Sequence, residues 1–441
     1  MILFKNTFNT KHFANLFLPT LQKKFLILLF KNTMNSIMKK TILNDSLIKK
    51  FSLYGFLKNL KFFEPFLLIF LLNKGLTLLQ IGFLISIREI ILNVFEIPSG
   101  FIADYIGKKK ELYICFTFYI ISFIFFFFTT NFFIASLAMF FFGLGEAFRT
   151  GSHKALIYSY LDQKGWSNYK TFVYGHTRSA SLLGSSLSSI LGIIFILTVP
   201  DTNYIFLISI VPYMIDFLLI ISYPNSIDSK TKNVNFINFI KTSLKNIFTN
   251  INLNKLIINN GLFEGIISSI KDYIQPILQV ILISSTAFTF FKFSNDETLK
   301  IILGLTYCAI YIVSSFGSRN SYRLMKFYNC DKWLKLLYLA LPLLILILAF
   351  TVEIPFFVIL IFISLYLLTN IRKPIFISVI DNNMNKQERT TVLSLTSQFK
   401  SLFTILLAPV IGFIADRFGL NYSLFFLVLV LLISYPLVLK K

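Results

Sequence analysis

Acidic and basic residues recur at helical spacing inside otherwise apolar stretches of the chain. Glu89 and Glu96 lie seven residues apart, with Asn93 between them and Gly100 four residues further on. Residues at such intervals lie on one face of an α-helix. Because an ionisable side chain in an apolar segment is costly unless it is paired or faces a cavity, this face predicts proton transfer or ligand binding. Two roles remain possible for Glu96. One is a structural bond to the other half of the protein, and the other is a part in proton coupling.

The segment GLGEAFRTGSHKALIYSYL carries the densest run of polar residues. Glu146, Arg149 and His153 follow at i, i+3 and i+7, so they share a helical face. Histidine ordinarily titrates near neutral pH, which suits a proton relay. The alternative is that His153 and Lys154 lie at one end of the helix and reach lipid headgroups.

Other charged residues within apolar segments are further candidates for coupling or substrate binding. They are Glu64, Arg88, Glu264, Lys271, Asp272, Arg372 and Lys400. Lys61 and Glu64 are three residues apart, which predicts an ion pair on one helix face. The basic residues around Arg372 and the acidic residues around Glu264 predict two helices that line one cavity.

The composition indicates which elements must position these residues. Hydrophobic residues make up 56% of the chain and charged residues 14%, which is more apolar than a soluble core can absorb. The apolar runs are about 20 residues long, the length at which a helix crosses a hydrocarbon layer of about 30 Å. The sequence therefore predicts an all-α membrane protein. Its net charge of +22 fits basic residues kept at the cytoplasmic surface, so no nucleic-acid partner is expected.

Hydropathy predicts twelve transmembrane helices in two six-helix halves. The first six lie at about 52–72, 78–104, 111–129, 132–160, 170–197 and 203–223. The second six lie at about 256–283, 299–317, 333–350, 355–380, 390–415 and 422–438. The predicted halves are residues 51–223 and 256–441, and a polar cytoplasmic linker over 224–255 joins them.

Residues 1–50 are predicted to form an extension outside both halves. The segment LQKKFLILLFK holds an apolar run of only six residues, too short to cross a membrane. We expect the extension to be disordered, to lie on the cytoplasmic membrane surface, or to precede a true start of translation at Met34 or Met38.

Basic residues divide unequally between the two ends of the predicted helices. With both termini in the cytoplasm, the cytoplasmic connections and the C-terminus carry nineteen lysines and arginines, and the opposite side carries four. This asymmetry predicts cytoplasmic termini. It also places two near-identical segments, GFIADYIG from Gly100 and GFIADRFG from Gly412, at opposite faces of the membrane.

Six helices, a charged linker and six more helices, with EIPSGFIADYIGKKK entering the first cytoplasmic loop, resemble the major facilitator superfamily. The residues that match the loop motif of this superfamily are Gly100, Asp104, Gly107, Lys108 and Lys109. Tyr105 stands where the superfamily usually has a basic residue. We expect Gly100 to admit a neighbouring helix and Asp104 to cap a helix or pair with a basic partner, as parts of a cytoplasmic gate.

The segments EIPSGFIAD, GLGEAFRTGSHKALIYSYL, YGHTRSASLLGSSLSS and ERTTVLSL resemble, more closely, an uncharacterised bacterial group that includes proteins described as efflux proteins. This resemblance spans about residues 50–440. It implies a multi-pass protein of the bacterial inner membrane. Because the superfamily often has a functional arginine in its fourth helix, the resemblance makes Arg149 the first candidate for sensing substrate or proton state.

The resemblance implies a secondary transporter that works by alternating access around a central cavity. The leading hypothesis is proton-coupled export of a small molecule by a monomer surrounded by lipid. The alternatives are an uptake symporter for a metabolite and a non-transporting sensor or lipid-moving protein. Since the sequence has no phosphate-binding loop, zinc-ligand spacing or nucleophile elbow, we expect no enzyme activity, cofactor or metal.

Small residues recur every four positions in the fifth predicted helix. Gly184, Ser188 and Gly192 form one such stripe, and Ser181, Ser185 and Ser189 form a second beside it. Small residues at this spacing allow helices to pack closely. We expect this surface to slide against the other half during transport, with a dimer interface as the alternative.

Overall fold

Helices make up all the regular secondary structure of the described chain. The computed structural model describes residues 36–228, 251–284, 294–324, 329–381 and 389–435. The segment LQKKFLILLFK, Met34 and most of the predicted linker lie outside these residues. Within them, nine helices are long and apolar enough to cross a membrane. Glu64–Asn73 and Leu420–Ser434, in the first and last predicted spans, are shorter apolar helices.

The helices follow the predicted order. In the first half they are α1 (Ser46–Lys58), α2 (Leu67–Asn73), α3 (Leu78–Ile106), α4 (Lys108–Phe127), α5 (Phe132–Arg149), α6 (Ser152–Gln163), α7 (Lys170–Thr198) and α8 (Tyr204–Ile221). In the second half they are α9 (Ile251–Ile270), α10 (Ile274–Ser284), α11 (Asn295–Leu324), α12 (Cys330–Phe350), α13 (Pro355–Asp381), α14 (Arg389–Phe418) and α15 (Leu420–Ser434).

Among the residues that the structure describes, three of the predicted spans are interrupted. The first stops at Lys58 and resumes as a short 3₁₀ turn at Glu64. The fourth turns at Gly151, whose φ is 86°, and the seventh breaks over residues 271–273. The prediction of continuous helices is wrong at these points. Irregular backbone at membrane depth is stable where it is buried in protein or lines a cavity, so the breaks indicate where a cavity lies.

The small residues of α7 pack against α1 in the same half. A Cβ added at Gly184 would overlap the carbonyl of Phe56, and one added at Gly192 would lie 2.7 Å from the carbonyl oxygen of Phe62. Gly184 and Gly192 therefore let α1 and the turn after it approach closely. For these two glycines the predicted contact with the other half is wrong, whereas Ser189 of the second stripe does lie against that half, 3.1 Å from a Cβ built at Gly304 of α11.

The two halves meet mainly through α3 and α14, which run antiparallel. The Ser86 hydroxyl on α3 donates a hydrogen bond of 2.8 Å to the carbonyl of Ile405, and the Asn93 amide donates one of 3.4 Å to the carbonyl of Gln398. A second contact joins α7 to α11, where an added Cβ at Gly304 would lie 3.1 Å from a backbone oxygen of α7. Residues with little or no side chain thus bring the halves together.

Asp416 on α14 caps the N-terminus of α3, which belongs to the other half. Its carboxylate accepts hydrogen bonds from the backbone N–H groups of Leu78 and Leu79, at 3.0 and 2.7 Å. One turn earlier on α14, a Cβ at Gly412 would overlap the backbone of Leu78. Because a helix N-terminus leaves N–H groups unsatisfied, a carboxylate there is favourable. These contacts close one end of the bundle, which we call the Asp416 end.

The opposite end of the α3 and α14 pair carries the other copy of the repeated segment. A Cβ added at Gly100 would meet no atom of the described residues within 4 Å. The side chain of Asp104 is 56% exposed and lies 3.7 Å from Lys108 at the start of α4. The two copies therefore lie at opposite ends of the bundle, as predicted. We expected a helix to approach Gly100, but no described residue does so in this conformation. We call this end of the bundle the Asp104 end.

We predict that Gly412→Ala opens the Asp416 end. The added methyl group collides with the backbone of Leu78, and overpacking of this kind typically costs about 1–3 kcal/mol, a shift of roughly 5- to 150-fold between two conformations. The measurement is the labelling rate of Leu92→Cys, a cavity position, in a variant without native cysteines. A reagent added from the side of the Asp416 end should react faster in Gly412→Ala.

Gly100→Ala is the matched control, because it makes the same change in the twin segment where the described residues leave open space. It should not raise this labelling rate. An equal increase in both variants would contradict a specific role of Gly412 in closure.

Candidate functional site

A cavity of about 230 Å³ lies between the two halves, next to the helix breaks. Its charged lining residues are Lys61, Glu64, Arg88, Glu89, Glu146, Lys271, Asp272 and Lys400. Its apolar lining residues are Phe63, Leu67, Leu92, Phe126, Met139 and Phe142. The cavity thus offers both signs of charge and an aromatic wall to one occupant.

Glu146 is the centre of the charged network on the first-half side. Its carboxylate lies 2.6 Å from the Arg149 guanidinium and 3.5 Å from the Lys61 ammonium. The Tyr119 hydroxyl donates a further hydrogen bond of 2.7 Å. The predicted pair of Lys61 with Glu64 is therefore wrong: the break after α1 turns Lys61 towards α5. One carboxylate compensates two cations, so its charge is essential to the arrangement.

Glu89 joins the two halves across the cavity. It is 4% exposed, lies 2.8 Å from the neighbouring Arg88 and accepts a hydrogen bond of 2.8 Å from Ser401 on α14. Lys400, the residue before Ser401, also lines the cavity, and it forms no ion pair within 4 Å with any described residue. The cavity therefore contains a cation that is available to an anionic group of a ligand.

Tyrosines of α11 hold the carboxylates on the other wall. Tyr311 donates a hydrogen bond of 3.0 Å to Glu64, and Tyr307 donates one of 3.0 Å to Asp272. Lys271 lies 3.8 Å from Asp272 within the break of the seventh span. The first and seventh spans therefore present their acids from irregular backbone, where a small rotation changes the side-chain direction.

Gln275 ties the two broken spans together. Its side-chain oxygen accepts a hydrogen bond of 2.8 Å from the N–H of Leu68, at the start of α2. Its side-chain nitrogen donates to the carbonyl of Glu64 and to the hydroxyl of Tyr307. This amide fixes the two broken spans to each other beside the residues that line the cavity.

Most of the predicted coupling residues converge on this cavity, and four lie elsewhere. Glu64, Arg88, Glu89, Glu146, Lys271, Asp272 and Lys400 line it, and Arg149 binds Glu146 directly. Glu96, His153, Glu264 and Arg372 are not among the lining residues of the described chain. The placement of charged residues on one helical face therefore predicted most of the charged residues of the cavity. Only part of each face reaches the cavity, however.

His153 and Arg372 are held inside their own halves. The His153 ring stacks on Tyr54 at a centroid distance of 3.6 Å, so it does not reach the headgroups as the alternative proposed. Arg372 is 1% exposed, donates hydrogen bonds to Asn259 and Asn260, and lies 3.9 Å from the centroid of a phenylalanine ring on α9. The tenth and seventh spans were predicted to line one cavity through Arg372 and Glu264. Instead, Arg372 makes a buried contact with the seventh span.

The loop motif fastens the start of α4 to the segment that follows α8. Gly107 has a φ of 99°, and the next two backbone N–H groups, of Lys108 and Lys109, donate to the carboxylate of Asp228 at 2.8 and 3.2 Å. The Lys109 ammonium is buried and donates to the carbonyl of Tyr223 at 2.7 Å. The lysines of this motif thus have a structural role within the first half.

Sequence reasoning missed Lys61, Tyr119, Tyr307 and Tyr311 as site residues. The tyrosines carried no signal, because they occur throughout the apolar segments. Asp216 was also missed, although an isolated acid in the apolar run YMIDFLL is a signal in itself.

A family model described as Major Facilitator Superfamily matches residues 51–403. The chain belongs to the Major Facilitator Superfamily. It is 24% identical over 394 residues to YxaM of Bacillus subtilis (strain 168), described as an uncharacterised MFS-type transporter; the match covers 86% of this chain and 90% of YxaM. The resemblance stated from the loop motif is confirmed.

Solved transporter structures share the fold. The nucleoside transporter NupG superposes with a TM-score of 0.74 at 14% identity, over 90% of this chain and 100% of that chain. A bacterial homologue of the human lysosomal transporter Spinster, in an inward-facing and occupied conformation, gives 0.68 at 13% identity, over 89% and 95%. A D-xylose–proton symporter gives 0.65 at 13% identity, over 90% and 97%. The predicted all-α membrane fold of this superfamily, with two six-helix halves, is confirmed.

We predict that Glu146→Gln strongly destabilises the protein. Removing one partner of a fully buried ion pair costs about 3–5 kcal/mol; because Glu146 is 19% and Arg149 30% exposed, we expect a loss of up to about 3 kcal/mol here. The free energy of unfolding of the purified protein in detergent should fall by this amount. The double variant Glu146→Gln/Arg149→Gln should recover part of the loss, since it removes the arginine together with its acid.

Asp162→Asn is the control, because it makes the same kind of change in a carboxylate that is 50% exposed and pairs with Lys170. It should unfold as the wild type does. If Glu146→Gln is as stable as this control, the charges of Lys61 and Arg149 do not depend on Glu146 for their compensation.

Proposed function

We propose that this protein is a secondary active transporter that exports a small amphipathic molecule in exchange for protons. The observation that carries the proposal is the charged cavity between two halves that touch at the Asp416 end. Such a cavity can be reached from one side at a time, as alternating access requires. In the orientation predicted from the basic residues, the Asp416 end faces outward and this conformation faces the cytoplasm.

The lining favours an occupant with both a polar and an apolar part. Phe126 and Phe142 provide an aromatic wall, while Lys400 and Glu64 provide groups of opposite charge. Recognition sites typically combine an apolar surface with a few polar groups that fix the orientation of the ligand. A molecule that is only hydrophobic would leave the charges of this cavity uncompensated.

The carboxylates of the cavity supply the means of coupling. Glu146 and Glu89 each bind a cation and a hydroxyl donor. Protonation of either carboxylate releases its cation, and the released charge then favours a different arrangement of the helices. Movement of protons is in this way linked to movement of the two halves.

Uptake by symport is the second candidate, because the same cavity and carboxylates serve transport in either direction. A D-xylose–proton symporter shares the fold, but at 13% identity this likeness concerns the fold alone. A sensor that binds a molecule without moving it is the candidate from another functional class.

The functional experiment is toxicity and growth profiling of a strain that lacks the gene, followed by flux in membrane vesicles. Sensitivity to several unrelated amphipathic compounds is the expected result, and a single nutritional requirement would establish uptake instead. With a compound so identified, vesicles containing wild-type protein should accumulate it only under a proton gradient. The variant Glu146→Gln/Arg149→Gln should lose this accumulation, and Asp162→Asn should keep it.

Binding of the compound without flux by the wild type would contradict transport and identify a sensor. Flux that persists at the wild-type rate after the proton gradient is collapsed would contradict proton coupling. The double variant is compared only after its folded state is verified by gel filtration and thermal unfolding.

The orientation has its own experiment. Single cysteines are introduced as Lys110→Cys, at the Asp104 end, and as Arg417→Cys, at the Asp416 end; both positions are exposed. Intact cells are treated with an impermeant thiol reagent in a variant without native cysteines. Arg417→Cys alone should react, because the lysines around position 110 are expected to hold that loop in the cytoplasm. Reaction of Lys110→Cys alone would invert the topology.

A further inference from the structure

Asp216 is a fully buried acid in the middle of α8. Its relative exposure is 0%, and neither carboxylate oxygen has a hydrogen-bond partner among the described residues. The other residues of its segment, YMIDFLL, are apolar or aromatic. A carboxylate is one of the most costly groups to bury, so an acid in this position requires an explanation.

Two further polar groups, Lys58 and Tyr54 of α1, are buried near this acid. Tyr213, one turn before Asp216, donates a hydrogen bond of 3.0 Å to the carbonyl of Lys58, so this turn of α8 packs on the last turn of α1. The Lys58 ammonium is buried with it and forms no ion pair within 4 Å with a described residue. The hydroxyl of Tyr54, one helical turn before Lys58, is also buried without a hydrogen bond.

The energetics of this cluster favour a neutral acid. An ionised carboxylate without hydrogen bonds is strongly disfavoured in an apolar interior, and such groups usually take up a proton instead. A metal ion does not fit, because the nearby positive charge of Lys58, which acts on Asp216, would repel a cation. A proton fits, because it makes the acid neutral without adding a second positive charge.

We propose that Asp216 is a proton-binding site, separate from the central cavity, with Lys58 as its counter-charge. When the proton is bound, an O–H bond forms on the carboxylate, and the charge of Lys58 is then compensated at longer range by Glu146. When the proton leaves to water, the carboxylate is ionised and attracts Lys58 across the gap between α1 and α8. The proposal rests on the proposed proton coupling. It adds to the carboxylates of the cavity a buried carboxylate that also binds a proton.

The position of Lys58 links this site to the cavity. Lys58 is the last residue of α1, and the break that follows leads to Lys61 and Glu64, which line the cavity. Lys58 also interacts electrostatically with Glu146 and Arg149. A change of charge on Asp216 therefore acts on the hinge that sets the direction of these side chains.

The neighbouring titratable groups leave Lys58 as the compensating charge. The titratable side chains near this part of α8 are Tyr54 and Lys58 on α1, Tyr113, Cys115 and Tyr119 on α4, His153 on α6, and Tyr213 and Tyr223 on α8 or just beyond it. On α7, the ionisable residues Lys170, His176 and Arg178 lie in the first third of the helix. Lys58 is the cation within this group.

Infrared difference spectroscopy of the lipid-reconstituted protein tests the proposal without a transported compound. A protonated carboxylic acid has a C=O stretching band that an ionised carboxylate lacks. The wild type should show such a band at neutral pH, and Asp216→Asn should lose that component completely. Asp162→Asn, which changes an exposed acid, should keep it. In Lys58→Met the band should persist to higher pH, because the counter-charge that favours ionisation is gone.

Asp216→Glu is included in case Asp216→Asn fails to fold. Because it keeps an acid at this position, the carboxylic C=O band should shift in frequency and should not disappear. Identical carboxylic bands in wild type and Asp216→Asn at every pH would overturn the proposal. A titration of the band unaffected by Lys58→Met would overturn the role of Lys58. Neither result would affect the proposed transport, since loss of gradient-driven flux is measured separately.

Discussion

A charge inside a membrane protein is stable only when another group compensates it, and the centre of this molecule is arranged by that constraint. Glu146 compensates Lys61 from the break after α1 and Arg149 from its own helix, and Glu89 connects Arg88 to Ser401 of the other half. Lys61, Arg88 and Arg149 belong to the same half as the two acids, and Ser401 belongs to the other half. Under the proposed alternating access, the contact between Glu89 and Ser401 is therefore one that is exchanged when the halves move.

The faces of the helices could be predicted from the sequence, and the choice of partners could not. Spacing alone placed Glu146 and Arg149 on one face, where they do pair. Spacing also paired Lys61 with Glu64, but Lys61 binds Glu146 and Glu64 accepts from Tyr311. The reason is the break after Lys58, which is shorter than the window of about 19 residues over which hydropathy is averaged.

Residues without a periodic pattern are the other limit of sequence reasoning. Asp216 has no charged neighbour at helical spacing, so a search for charged faces passes over it. Gly184 and Gly192 were correctly identified as contact residues, but their partner is α1 and not the other half. A stripe of small residues predicts that a helix will approach closely. It does not say which helix, because that depends on the packing of all the others.

The cap that Asp416 places on α3 makes water a participant in the conformational change. While the Asp416 end is closed, the N–H groups of Leu78 and Leu79 donate to a carboxylate of the opposite half. When that end opens, the two N–H groups and the carboxylate must be hydrated, because a polar group without any partner is too costly. Opening of this end therefore binds additional water molecules. The balance between the two conformations of the proposed transport cycle therefore depends on water activity, and osmotic stress favours the state in which this cap is intact.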